Sequence, residues 1–165
     1  MIFAQTIDDI PGLVAMLRGL NLCHVSHGPH PVHNYATEAE LADFLATAMA
    51  DGAQVLAYRA GGVPRGYLMW RLCDVAPGVV DRQRRFGFLD HIYVEPSWRR
   101  KGIAGRLIAR FESEIAAQAC TGWRSTARNF NTASAALMAR AGAEVAAYMF
   151  EKELVVRPAA GRGDC

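Results

Sequence analysis

Phe88-Leu89-Asp90-His91-Ile92-Tyr93-Val94-Glu95-Pro96 reads as a strand, and after Ser97 and Trp98 it enters Arg99-Arg100-Lys101-Gly102-Ile103-Ala104-Gly105. Glycines in such a turn let backbone N–H groups approach a ligand closely. A helix beginning there turns its unpaired amides and the positive end of its dipole outward, beside three cations. That combination suits an anion the size of a pyrophosphate, although a solvated turn ahead of an ordinary helix needs the same residue types. The chain has neither G-x-x-x-x-G-K-[ST] nor G-x-G-x-x-G, so P-loop and dinucleotide-binding readings lack their specific support. The preceding strand adds a carboxylate, Asp90, and an imidazole, His91. Either is a candidate general base, and an imidazole titrates near neutral pH without perturbation.

A second group is Cys23, His24, His27, His30 and His33, interspersed with Pro29 and Pro31. Polyproline II repeats every three residues, so the imidazoles at three-residue spacing would share a face and suit zinc, copper or nickel. An exposed loop that shapes substrate recognition is the expectation preferred here, and no metal is expected. Arg82, Arg84 and Arg85 read as a solvated connection, and Arg162-Gly163-Asp164 as a chance tripeptide.

These residues need elements to position them. Ile2–Gln5 is a short strand, and Thr6 with Asp9 starts a helix carrying Ile10, Leu13, Val14, Leu17 and Leu20. Thr37 with Glu40 opens a second helix after the Pro/His-rich loop. Residues 54–60, the Gly61-Gly62 turn and residues 66–74 form an antiparallel hairpin, extended by Phe86–Val94. Gly102–Ala119 has Ile103, Leu107, Phe111 and Ile115 on one stripe. A strand at 123–127, a helix at 132–141 and a closing strand at 145–155 complete the expected order. The whole reads as one domain over residues 1–155 with a tail at 156–165.

Composition narrows the function classes. With 18 basic and 16 acidic side chains the net charge is +2, too balanced for a dedicated nucleic-acid binder. No apolar run reaches the roughly 20 residues that span a bilayer, and no basic leader precedes Asp8 and Asp9. No membrane partner is expected. Cys23, Cys73, Cys120 and Cys165 are far apart, as in a cytoplasmic protein with reduced thiols.

At Arg99-x-x-Gly102-x-Ala104, directly after Val94-Glu95-Pro96, the chain resembles the GNAT superfamily of acyl-CoA-dependent N-acyltransferases, whose motif is [QR]-x-x-G-x-[GA]. Asn131-x-x-Ser134, Leu137 and Ala141-Gly142 resemble the superfamily's second motif. The resemblance implies an α/β (α+β) GNAT fold, with a mixed, mostly antiparallel sheet of about six or seven strands and helices on both faces. It implies acetyl-CoA as co-substrate, with its pyrophosphate on the amides of Arg100, Lys101, Gly102, Ile103, Ala104 and Gly105 behind Arg99. The pantetheine arm would follow the Ile92, Tyr93 and Val94 edge, and Asn131 would touch the same arm or cap its helix.

The implied reaction is direct acetyl transfer to a primary amine of a small molecule: a polyamine, an aminoglycoside or an amino-acid-like compound. The alternatives are a protein N-terminal or lysine acetyltransferase and a non-catalytic acyl-CoA sensor. Asp90 aligns with an acidic residue used as base in polyamine-acetylating relatives, where the strand reads L-E-D-L-Y-V, and His91 is its rival. Many relatives carry a proton-donating tyrosine where this chain has Met138, which leaves Tyr93, Tyr148, water or an unassisted thiolate. A homodimer is compatible with the resemblance.

Overall fold

The computed structural model describes residues 1–27 and 33–152. His30, Pro29, Pro31, the tail at 156–165 and the last residues of the expected closing strand lie outside the described residues. Along the chain run β1 (Ile2–Ala4), a 3-10 turn (Ile7–Asp9), α1 (Ile10–Val25), α2 (Glu38–Ala50), β2 (Gln54–Ala60), β3 (Val63–Val75) and β4 (Arg84–Val94). A second 3-10 turn (Pro96–Trp98), α3 (Ile103–Ala117), β5 (Trp123–Ser125) and α4 (Thr132–Arg140) follow.

The local signals act as their chemistry requires. Thr37 N–H donates to Glu40 Oε2 at 2.7 Å while Glu40 N–H donates to Thr37 Oγ1 at 3.2 Å, closing a reciprocal cap on α2. Thr6 N–H likewise donates to the Asp9 carboxylate at 2.9 Å. The β2–β3 hairpin turns on Gly61 and Gly62 at φ 58° and 78°, values that side chains resist.

The sheet order is β1-β2-β3-β4-β5, antiparallel throughout except for the parallel β4–β5 pair. Side chains alternate across it. Leu56, Leu68, Trp70 and Leu89 face α3, where Ile103, Leu107, Ile108, Phe111 and Ile115 make an all-apolar core joined by half-buried Leu137 and Met138 of α4. Val55, Ala57, Tyr67 and Met69 face α1 and α2, which contribute Leu13, Val14, Leu17, Leu41 and Leu45. No helix among the described residues is long and apolar enough to cross a membrane.

Three expectations need correction. Among the described residues the sheet has five strands, fewer than the six or seven expected. Residues 145–152 carry no strand, and Val145, Tyr148, Met149 and Phe150 are exposed. An apolar run becomes a strand only beside a partner edge, and β5 offers three residues rather than the expected 123–127. Finally, α1 reaches Val25, so Cys23 and His24 are helical and do not belong to the loop.

Candidate active site

Leu89 pairs with Trp70 and His91 with Met69, so Asp90 is an extra residue in β4. Such a bulge suspends alternation and turns two neighbouring side chains toward one face. That face is the one with Tyr67, Met69 and Arg71 at alternate positions of β3. Arg71 Nη1 donates to Asp90 Oδ2 at 2.9 Å, and the Tyr67 hydroxyl lies 3.2 Å from His91 Nδ1. Phe44 of α2 stacks on the imidazole, with centroids 6.0 Å apart and planes at 19°.

These surroundings tune the imidazole. Burial pushes the His91 pKa below its ordinary value; the Asp90 carboxylate pulls it back up, while His24 and Arg71 push it further down. His91 is therefore neutral at neutral pH, with a lone pair for a proton. Tyr67 is fully buried, and desolvation drives its hydroxyl far above the ordinary phenol range, so it stays protonated.

Beyond the bulge the sheet opens. β5 pairs only with Gly87–Leu89, so the outer edge of β4 over residues 90–94 has no strand partner among the described residues. That edge runs into the basic turn, where Arg100 and Gly102 take left-handed φ values of 59° and 73°. Gly102 caps α3. The amides of Ile103, Ala104 and Gly105 come before the first helical hydrogen bond, from Arg106 N–H to Gly102 O at 3.1 Å. A Cβ on Gly105 would meet nothing within 4 Å, so the backbone there is open to a ligand.

Side chains of this segment divide by role. Val94 and Ile103 are buried in the α3 core, with Ile92 and Ala104 half-buried against it. Arg99 folds back: its Nε donates to Val94 O at 2.9 Å, its guanidinium covers the Tyr93 ring, and Nη2 lies 3.7 Å from Cys23 Sγ. Tyr93 reaches α1, where a Cβ on Gly19 would fall 2.4 Å from its hydroxyl oxygen; only glycine fits. Lys101 Nζ sits 4.4 Å from the Trp98 ring centroid. Arg106 lies over Tyr58, with Nη1 3.6 Å from the position of a Cβ on Gly102, whereas Arg110 is held by Glu114 at 2.7 Å.

The near end of the histidine segment lies against the basic turn and the head of α4. Sixteen helical residues carry α1 about 24 Å, far enough to bring Cys23 to Arg99. Beyond it His27 stacks on Phe130 at 4.5 Å and His24 meets the same ring edge-on at 5.8 Å. Phe130 precedes Asn131, the cap of α4, whose Oδ1 accepts from Ser134 N–H at 3.0 Å and leaves the side-chain NH₂ as a donor. Among the described residues no three His, Cys, Asp or Glu side chains gather as a metal-binding group. Met138 is packed into the α3 core and Tyr148 is exposed.

Sequence reasoning missed Tyr67, Arg71 and Phe44. None is flagged by local spacing, because long-range pairing and helix packing bring them to His91. The bulge was also invisible, since ordinary alternation sends adjacent residues to opposite faces.

Known proteins share this architecture. A protein of Bacillus halodurans matches with a TM-score of 0.80 at 15% identity, covering 93% of this chain and 99% of that one. A predicted acetyltransferase of Clostridium acetobutylicum, solved with acetyl-CoA, matches at 0.71 and 18%, covering 93% and 95%. An aminoglycoside 6′-N-acetyltransferase of Acinetobacter haemolyticus matches at 0.70 and 20%, covering 93% and 99%. No curated protein matches the sequence. The profile of the acetyltransferase (GNAT) family matches residues 16–143, from α1 through the end of α4, and the chain belongs to that family.

Proposed function

We propose that this chain transfers the acetyl group of acetyl-CoA to a primary amine of a small molecule. The observation that carries the reading is the unpaired β4 edge over residues 90–94, ending on the amide-bearing turn at the head of α3. An extended arm containing amides needs strand-edge partners, and a pyrophosphate needs clustered N–H donors; here one follows the other. Ile92, Tyr93 and Val94 would hold the arm through their backbone. The amides from Arg100 to Gly105 would hold the phosphates, with charge from Arg100 and Lys101. Arg99 acts from behind by bracing the end of β4 against α1, and Asn131 offers its NH₂ from across the opening.

Acetyl-CoA supplies an acetyl group activated as a thioester. A lysine-like amine has an ordinary pKa near 10, so a group on the protein has to accept its proton. His91 fills that role in this reading in the tautomer whose Nδ1–H meets the Tyr67 oxygen and whose Nε2 carries the lone pair; in the other tautomer Tyr67 O–H donates to Nδ1 and the role passes to Asp90. Asp90, with one oxygen on Arg71, is the second candidate. A thiolate with an ordinary pKa near 8.5 departs without an acid, so the family tyrosine replaced by Met138 is dispensable. Orienting the amine against the thioester contributes about 7–11 kcal/mol, more than the 10²–10⁴ in rate typical of one base. The reaction belongs in the cytoplasm, in keeping with free Cys23, Cys73 and Cys120.

Acetyl-CoA at 100 times its dissociation constant should stabilise the fold by about 2.7 kcal/mol, seen as a rise in Tm. Gly102→Asp places a side chain and a negative charge at the phosphate site and should abolish the rise. An unchanged Tm in the parent protein overturns the reading. Binding without CoA release from any amine would favour the acyl-CoA sensor.

A further inference from the structure

The core that α1 and α2 make with the sheet ends at Met69, and beyond it, among the described residues, the same face is half-buried to exposed. On β4 this strip carries Arg84, Phe86, Phe88 and Asp90. Arg71 of β3 lies over the Phe88 ring at 5.1 Å, and Arg124 of β5 lies over the Phe86 ring at 4.7 Å. Trp123 turns the other way, toward Phe111, which confirms the side on which Arg124 emerges. The strip is contiguous with the proposed base, because Arg71 is bonded to Asp90 and Asp90 adjoins His91.

Its charges do not cancel. Arg71 is paired with Asp90 at 2.9 Å yet its side chain stays 53% exposed, with further N–H donors available. Arg84 reaches Asp81 only at 3.9 Å. Arg124 has no carboxylate within 4.0 Å among the described residues. A floor with three guanidiniums, whose carboxylate Asp90 is held by Arg71, repels a polycation. Two phenyl rings held between guanidiniums suit instead an acceptor with an apolar body and a negative end.

We infer that the acceptor is a primary amine that also bears a carboxylate, its carboxylate bound by Arg124 and Arg71 and its apolar part lying on Phe86 and Phe88. This rests on the acetyl-transfer reading and narrows it: amino-acid-like amines are the substrates, and polyamines and aminoglycosides are not. Arg124 would be a specificity-determining residue that takes no part in proton transfer.

The test uses the full chain with acetyl-CoA and matched acceptors differing by one carboxylate: phenylalanine against phenethylamine, lysine against 1,5-diaminopentane, with spermidine as the polycation. CoA release should give kcat/KM at least about tenfold higher for the carboxylate member of each pair, expressed mainly in KM. In Arg124→Gln that ratio should shrink about tenfold, and in Arg124→Lys it should largely return. A preference for the diamine or spermidine, or an unaltered ratio in Arg124→Gln, overturns the inference. So does silence toward every acceptor in a protein whose Tm still rises with acetyl-CoA, provided phenylalanine adds no further rise. Absence of any acetyl-CoA effect overturns the acetyl-transfer reading as well, so the two failures are distinguishable.

Discussion

The two faces of the sheet are built to different rules. Between the sheet and α3 lie Trp70, Leu68 and Leu89 of the strands and Phe111 and Ile115 of the helix, all buried, with Trp70 and Phe111 at 5.3 Å and Phe111 and Trp123 at 6.1 Å. Against α1 and α2 the core begins as dry but then admits Tyr67, His91 and Tyr93, and ends at a strip of exposed arginine and half-buried phenylalanine. Burying polar groups costs stability unless they are paired, and on the second face Tyr67 and His91 are paired with each other. A family that varies its acceptor can rebuild one face and keep the other.

Substitutions should separate the faces. Phe111→Ala should cost about 3–5 kcal/mol in denaturant unfolding, because its ring is fully buried among Trp70, Trp123 and the neighbouring aliphatics. His91→Gln should do the reverse, with kcat down roughly 100-fold or more, acetyl-CoA affinity held, and stability changed little by comparison. Asp90→Asn is its control, and a larger loss there would transfer the role of base to Asp90.

Gly87 sharpens the same contrast. A Cβ there falls 2.9 Å from both Ile115 and Phe111, so Gly87→Ala should destabilise by about 1–3 kcal/mol through overpacking while leaving Michaelis constants unchanged. Tyr67→Phe keeps the volume but removes the partner of His91 Nδ1. It should lower kcat about threefold to tenfold without altering acetyl-CoA binding, and an unaffected kcat would remove Tyr67 from the positioning of the base.

The smallest effect is in pH. The His91 pKa is depressed on folding, chiefly by burial, so between the folded and unfolded values the unfolded chain binds the extra proton. Its contribution to stability is complete above about pH 6.5 and is lost as pH falls through the folded value. The acid limb of kcat/KM should lie in the same window and should disappear in His91→Gln. A limb retained in that variant would assign the titration to another group.

Much of this was legible in the residues themselves. Thr37 with Glu40, the Gly61-Gly62 turn and the Ile103, Leu107, Phe111, Ile115 stripe each encode a local rule, and each is met in the structure. The turn from Arg99 to Gly105 was readable in part, since Gly102 marks one left-handed position, whereas the other, Arg100, carries no such signal. What local pattern does not hold is partnership. Val145 to Phe150 has the apolar content of a strand but pairs with no strand among the described residues, and Asp90 with His91 obeys alternation until the pairing register inserts a bulge. Tyr67 and Arg71 lie some twenty residues from Asp90 and His91 in sequence and meet them only through that register.

The short pairing of β5 gives β4 two lives as a strand. Over Gly87–Leu89 it has neighbours on both sides, so amides pointing either way are shielded from solvent. Past the bulge only the amides aimed at β3 are shielded, and the intervening ones face the opening. Isotope exchange would therefore read a continuous protected run that gives way at Asp90 to an alternating one. The fast positions in that alternation are the donors left for a ligand, and their slowing, residue by residue, would report how far along the strand an occupant extends.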